Sequence, residues 1–386
     1  MTPSWLARAT VFAAVAGSHA HGTAKEGSDV DVRGVCVAPL DVRVGLFDRF
    51  EQHEGALEGE LFDLLSGALG SRADVARSLS VKGEIVLFDV AKFLTLAAAT
   101  NPSALEILFT DPRDWLLRTS TWEKIHAARY LFLTKHVGRT FQGYAAAQLK
   151  KIRTHRGWLL SPPEARPRRE DFGLSAGQGP LGADERRRIE AAIAEVVGRT
   201  SIADLDVPEG TRAAIEERIR VFCMNVAGAP GDEAGEAERR AATKVLGLSR
   251  EVVATLEAER AYRSALSQYA AYEAWKTQRN PARAELERRF GYDTKHAMHL
   301  VRISRMAVEA LLEGELRVRR ADADELRDIR EGAYAFAELE RLAADLSART
   351  AAAMARTALP SEVDRDAVDR LARGIMLDAG HARQNA

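Results

Sequence analysis

The sequence predicts an α+β protein, a small mixed sheet with flanking helices followed by an elongated, mainly helical domain, and three observations carry that prediction. An apolar run at Val11–Ala16 leads through a glycine-serine turn into Asp29-Val30-Asp31-Val32-Arg33, whose period of two is that of a strand. A second strand-like run, Glu84–Phe88, is followed by a helical pattern with a capping residue in front of it. Alanine and arginine are abundant while aromatic residues make up 6%, a composition that favours helices. At 386 residues two domains are expected, bounded here at 1–115 and 116–386, with a Pro/Gly-rich linker or crossing loop at 161–182 in the second.

Residues 4–20 read as a short helix and a strand. They have the outline of a signal peptide, but the apolar stretch is short, lacks a strongly basic lead-in, and cleavage would remove the Gly17-Ser18 turn. No other segment approaches the length of a membrane span. Pro39 ends the strand that carries Asp29 and Asp31, and residues 38–80 show little firm periodicity, so irregular structure or a lid is expected there. Asp89 is placed to cap a helix through Leu96, and Asn101-Pro102 starts another with Leu105, Leu108 and Phe109 on its apolar side. Residues 183–260 read as helices broken by a turn at 227–232, and Tyr262, Leu266 and Tyr269, with Tyr272 and Trp275 nearby, form a stripe that reads as core. Asn280-Pro281 begins a helix that Gly291 breaks before another. An alanine-rich amphipathic helix over 335–357 and a short last helix over 363–376 close the chain.

The net charge of −1 gives no global argument for nucleic acid or membrane, so any basic surface must be local. Cys36 and Cys223 are far apart and in no metal-ligand spacing, which points to a reduced, cytoplasmic protein, with Cys36 packed among valines.

Chemistry concentrates at Gly17–Val37. If 29–33 is a strand, its two carboxylates share one face, roughly 6.5 Å apart along the chain. That separation lets one carboxylate bridge and the other complete a pair of hard cations. Gly17 allows backbone N–H groups to approach a phosphate, Ser18 adds a hydroxyl, and Ser28 lies directly before the acids. The bland alternative is a surface hairpin with solvated aspartates. On a later helix Lys295, His299 and Arg302 fall on one face at spacings of four and three, a stripe that suits a triphosphate or an RNA backbone, or else a buried polar network. His296 and His299, three apart, lack a further ligand set in the sequence. Arg139, Lys150, Lys151, Arg153 and Arg156, interleaved with Phe141, Tyr144 and Trp158, can track a polynucleotide or simply form a solvated helix with aromatics in the core.

The string Gly17-Ser18, Gly22, Ser28-Asp29, Asp31, Arg33-Gly34 resembles the signature of DNA polymerase β-type nucleotidyltransferases, most closely the branch associated with RNA ligases. Thr100–Phe109, Phe141–Lys151, Gly291–His296 and His299–Arg302 are similar to the same branch, so the resemblance runs in patches from Trp5 to about Gly332. It implies transfer of a nucleoside monophosphate from an NTP to an acceptor hydroxyl, foremost an RNA 3′ end, with release of pyrophosphate. It also implies two Mg²⁺ ions, or Mn²⁺, held by Asp29, Asp31 and a third carboxylate on a neighbouring strand. Glu84 starts that strand and is the residue matched here, although the family more often has aspartate; Asp89, at the far end, suits an N-cap, and Glu106 is an outlying candidate. Gly17 and Ser18 would hold the terminal phosphates with Ser28 in support, and Lys295, His299 and Arg302 would add positive charge from an opposite wall. A role in RNA repair follows from the family association alone. Three other readings stay open: transfer to a protein hydroxyl, a nucleotide- or RNA-binding module without turnover, and a helical ribonuclease built on Arg289 and His296.

Overall fold

A computed structural model of the chain describes residues 2–46, 49–77, 83–174 and 250–384, with scattered positions between 176 and 217. The chain opens with α1 (Leu6–Ala9), β1 (Thr10–Val15), α2 (Gly17–His21) and β2 (Val30–Cys36). There follow α3 (Leu40–Arg43), β3 (Gln52–Ala56), α4 (Gly59–Gly70), α5 (Ala73–Ala76), β4 (Gly83–Asp89), α6 (Val90–Ala98), α7 (Pro102–Leu108), β5 (Trp115–Arg118), α8 (Ser120–Ala127) and α9 (His136–Leu160). The later helices are α10 (Arg250–Gln278), α11 (Pro281–Phe290), α12 (Thr294–Glu313), α13 (Ala323–Arg330), α14 (Phe336–Arg356) and α15 (Arg365–Gln384).

The strands form one five-stranded sheet in the order β3-β4-β2-β1-β5, in which β2 and β4 run parallel and the other neighbours antiparallel. The fold is therefore α+β with a mixed sheet, as the alternation at Asp29–Arg33 and the run at Glu84–Phe88 predict. The stretch 38–80, expected to be irregular, instead supplies the edge strand β3 and the helix α4, whose Leu61, Leu65 and Leu69 bury one side. That strand escapes a reading by alternation because its sequence, Gln-His-Glu-Gly-Ala, has no apolar alternation; its residues are exposed or half-buried and pair only with β4.

Contacts divide the chain into two compact units, one made of residues 1–159 and 281–386, the other of 160–280. In the first, both sheet faces are covered. Leu61, Leu65, Leu69 and Val75 pack on the face that carries Ala13, Val15, Val32, Ile85 and Leu87. The opposite face, with Phe12, Ala14 and Val35, is covered by Phe93, Leu105, Trp122 and Phe141 and by Ile303, Met306, Ala307 and Ala310 of α12. Phe12 stacks on Trp122 at 3.7 Å between ring centroids. The amino-terminal half of α12 has a core of its own, where Ala297, Met298, Leu300 and Val301 meet Ile152, Leu326, Ile329, Leu339 and Leu346.

In the second unit, the stretch expected as linker holds a short turn at Arg169–Phe172 with a reciprocal capping pair. Arg169 pairs with Glu259 and lies over the Tyr262 ring, which also meets Phe172, so this aromatic does pack internally. Of the rest of the stripe, Tyr272 is buried and Tyr269 and Trp275 are half-buried. Cys223 and the turn expected at 227–232 lie outside the described residues, as do nearly all of the helices expected between 183 and 249. Among the described residues no helix is long and apolar enough to cross a membrane.

Candidate active site

Asp31 sits in β2 with its neighbours Val30 and Val32 fully buried in the core below. In the parallel ladder Asp31 is the register partner of Glu84, so their side chains leave the sheet on the same face from strands about 4.8 Å apart. Asp29 lies two residues upstream, exposed, just before the strand begins. Among the described residues none of these three carboxylates makes an ion pair with a cationic side chain.

Gly17 closes one side of this group. It adopts φ +60°, and a β-carbon there would stand 2.2 Å from Asp31 Oδ2, so the main chain lies directly against the carboxylate. Only glycine meets both conditions, a left-handed backbone and no room for a side chain. Ser18 follows, half-buried, its carbonyl accepting from the Thr23 amide at 2.8 Å. Ser28 Oγ accepts from the Lys25 amide at 2.9 Å, which ties the loop leading into β2.

Asp89 has a different task. Its Oδ2 accepts from the Ala91 amide and its Oδ1 from the Ala38 amide, and Arg43 lies 3.9 Å away. It is the buried N-cap of α6 at the far end of β4, paired in register with Cys36. Burial and the Asp89 charge push the Cys36 thiol far up.

The helix α12 supplies the cationic side. Asp293 caps it, accepting from the His296 amide at 3.0 Å, and Gly314 ends it in the left-handed region. Lys295 is half-buried in its first turn and close enough to Asp31 for that charge to act on it. Burial, then Arg283 and Arg330, lower its pKa despite Asp31. Burial and Arg283 likewise lower that of Arg330. Neither Lys295 nor Arg330 has an ion pair among the described residues, so Lys295 meets Asp31 with a second half-buried cation, Arg330, repelling it from nearby. Arg283 and Arg330 are absent from the sequence reading. Glu331, its neighbour in the chain, acts on Arg330, and the tertiary placement also brings Arg330 near Lys295, which no sequence spacing announces.

Deeper along the same helix the polar network is closed. Arg302 is buried, pairs with Glu106 and approaches Met306 Sδ at 3.2 Å. His21 of α2 stands 3.4 Å from the other Glu106 oxygen. Burial alone would raise the Glu106 carboxyl, but Arg302 and His21 outweigh it and hold the group well below the usual carboxylate range. His299, between Lys295 and Arg302, is driven well below its ordinary value by burial and by Arg302, His21 and Lys295, so its imidazole is neutral. Thus one stripe serves two purposes: Lys295 faces Asp31, while Arg302 belongs to the buried network held open as the alternative.

A cleft of about 350 Å³ beside the loop after α2 is lined by His19, Lys25, Asp74, Arg77, Arg319 and Arg327. Lys25, Arg319 and Arg327 are already paired with Glu331, Asp114 and Asp324. On α9, Lys150, Lys151 and Arg139 are exposed, whereas Arg153 pairs with Glu340 and Arg156 donates to the Gly291 carbonyl and lies over Phe336. Phe141 is buried and Tyr144 exposed. Arg289 is exposed over the Phe290 ring, while His296 faces Asp293 and His155.

Residues 7–158 match the RlaP family, described as the RNA repair pathway DNA polymerase beta family. The match covers the sheet, α2, both aspartates, Glu84 and nearly all of α9, and agrees with the resemblance drawn from the Gly17–Gly34 string. Lys295, His299 and Arg302 lie beyond it. No curated protein and no solved structure matches the chain.

Proposed function

From the match of residues 7–158 to the RNA repair pathway DNA polymerase beta family, we propose that the protein transfers a nucleoside monophosphate from an NTP to an acceptor hydroxyl. The acceptor in this reading is an RNA 3′ end, and pyrophosphate leaves. The observation that carries it is the meeting of Asp31 with Glu84 in register, Gly17 backed against Asp31, and, among the described residues, no cationic side chain pairing with either acid.

The donor set fits two divalent cations of the Mg²⁺ or Mn²⁺ type. It consists of carboxylate oxygens only, open to solvent at Asp29 and Glu84, and among the described residues no cationic side chain occupies them. Asp29, Asp31 and Glu84 would hold them, and when bound such ions supply charge neutralisation and a lowered pKa for the attacking hydroxyl. The chain's own residues do the rest. Gly17 and Ser18 offer an amide and a hydroxyl to the terminal phosphates, and Ser28 fixes the loop that presents Asp29. Lys295 and Arg330 repel each other, and a polyphosphate between them would relieve that repulsion, so part of its binding energy comes from that relief. His299 stays neutral and can donate a hydrogen bond, and Arg302, locked to Glu106, holds the helix at its depth. In-line attack then depends on positioning more than on a covalent nucleophile.

The test is transfer of label from each of four α-labelled NTPs, with Mg²⁺ or Mn²⁺, to pooled cellular RNA and protein. Label in RNA that disappears in Asp29→Ala/Asp31→Ala supports the proposal. Label in protein alone would make the acceptor a protein hydroxyl, and NTP binding without transfer would leave a binding module.

A further inference from the structure

Away from the sheet acids, the first unit assembles a second set of donors that the sequence leaves scattered. His155 lies near the carboxyl end of α9, and Asp293 and His296 open α12. One ligand atom from each, an imidazole nitrogen from either histidine and a carboxylate oxygen, lie within 4.8 Å of one another. The two imidazoles are 5.9 Å apart between centroids and inclined by 56°. Asp293 is buried; its Oδ1 is fixed by the helix cap, and its Oδ2 stands 3.5 Å from His296 Nε2. We propose that His155, Asp293 and His296 form a binding site for a divalent transition-metal ion of the zinc type, separate from the carboxylate site on the sheet.

Two imidazoles and one carboxylate are the ligand set of zinc and its neighbours, whereas magnesium and calcium take oxygen donors. Bonds of about 2.0 Å around a tetrahedral ion put its ligand atoms roughly 3.3 Å apart. Donors already within 4.8 Å reach that spacing by side-chain torsion, with the backbones where they are. A water completes the coordination.

The site has a built-in competitor. Arg283 reaches within 3.2 Å of Asp293 Oδ2, the oxygen an ion would take, and Lys151 adds positive charge near His296. Filling the site therefore displaces Arg283 from Asp293 and ties α9 to the start of α12, where His296 adjoins Lys295. This inference does not depend on the nucleotidyl transfer proposed above.

The full-length protein, stripped with chelator, is titrated with Co²⁺ and then Zn²⁺. The expected result is one Co²⁺ per chain with a visible absorption band, displaced by Zn²⁺ and not by Mg²⁺, and unchanged in Asp29→Ala/Asp31→Ala. His155→Ala and His296→Ala weaken binding at least about tenfold, and Zn²⁺ raises the thermal midpoint of the wild type but of neither variant. His155→Gln serves where the alanine variant misfolds. Arg283→Gln binds more tightly than the wild type. Absence of a bound ion in the wild type, undiminished binding in histidine variants whose circular dichroism is native, or equal affinity in Arg283→Gln would each overturn the site.

Discussion

Gly17, Glu84 and Asp89 show how much of this site turns on single positions. Gly17→Ala must place a β-carbon against Asp31 Oδ2 from a left-handed backbone. The strain costs about 1–2 kcal/mol, but the larger effect is on the acid it displaces. Transfer activity is expected to fall ~100-fold with a much smaller change in thermal stability, compared by single-turnover labelling and calorimetry. Asp89 should behave in the opposite way. Asp89→Ala removes the α6 cap and leaves the Ala38 amide without its acceptor, so denaturant titration should show a loss of about 2–3 kcal/mol while the folded fraction binds NTP normally. Glu84→Gln should retain stability and lose transfer; full activity in that variant would remove Glu84 from the site. The sequence favours Glu84 over Asp89 as the third carboxylate without deciding between them, because Asp89 stands where a helix begins and Glu84 where a strand begins. It could not supply the register that sets Glu84 beside Asp31, since pairing across 53 positions is a property of the sheet.

Among the elements, α12 carries the most argument, because one face of it meets both the open acids and a closed ionic network. Arg302 and Glu106 lie far apart in sequence, 196 positions, and pair with Arg302 buried and Glu106 half-buried. Removing one partner strands the other, so Arg302→Met or Glu106→Gln should each cost about 3–5 kcal/mol, and the double variant less than their sum in a double-mutant cycle. The same helix sets a pH response. His296 and His299 take a proton near 6.5 in the unfolded chain but not in the folded one, where His296 titrates at about 4. The unfolded state therefore binds more protons as pH falls below 6.5, and stability is lost progressively from there toward pH 4. The thermal midpoint should fall over that window, with a shallower slope in His296→Gln. Legibility followed the same division. β2 could be read because apolar alternation marks a buried face, and β4 because its continuous apolar run marks a strand buried on both faces; β3 and the four residues of β5 could not, because edge strands bury little. The Lys295–His299–Arg302 stripe was legible from helical spacing alone, but which member faces Asp31 and which faces Glu106 depends on a partner contributed by α7.

For the whole molecule, the family match ends at residue 158 while the sheet face above β1 and β2 is finished by Ile303, Met306, Ala307 and Ala310. A fragment of residues 1–159 should therefore expose that face. It is expected to bind a hydrophobic dye and to aggregate, and a fragment that sediments as a monomer and unfolds cooperatively would contradict this. The first unit is also interrupted by the 160–280 unit, and this has a consequence for the order of events during synthesis. When a ribosome has made the sheet and its acids, α12 is still more than a hundred residues away, a delay on the order of ten seconds at cellular elongation rates. Through that interval the nascent chain offers an uncovered apolar surface to chaperones. It also holds its acids without Lys295 or Arg330, so on the proposed mechanism a growing chain would lack the cationic side of the site until its second half has left the ribosome.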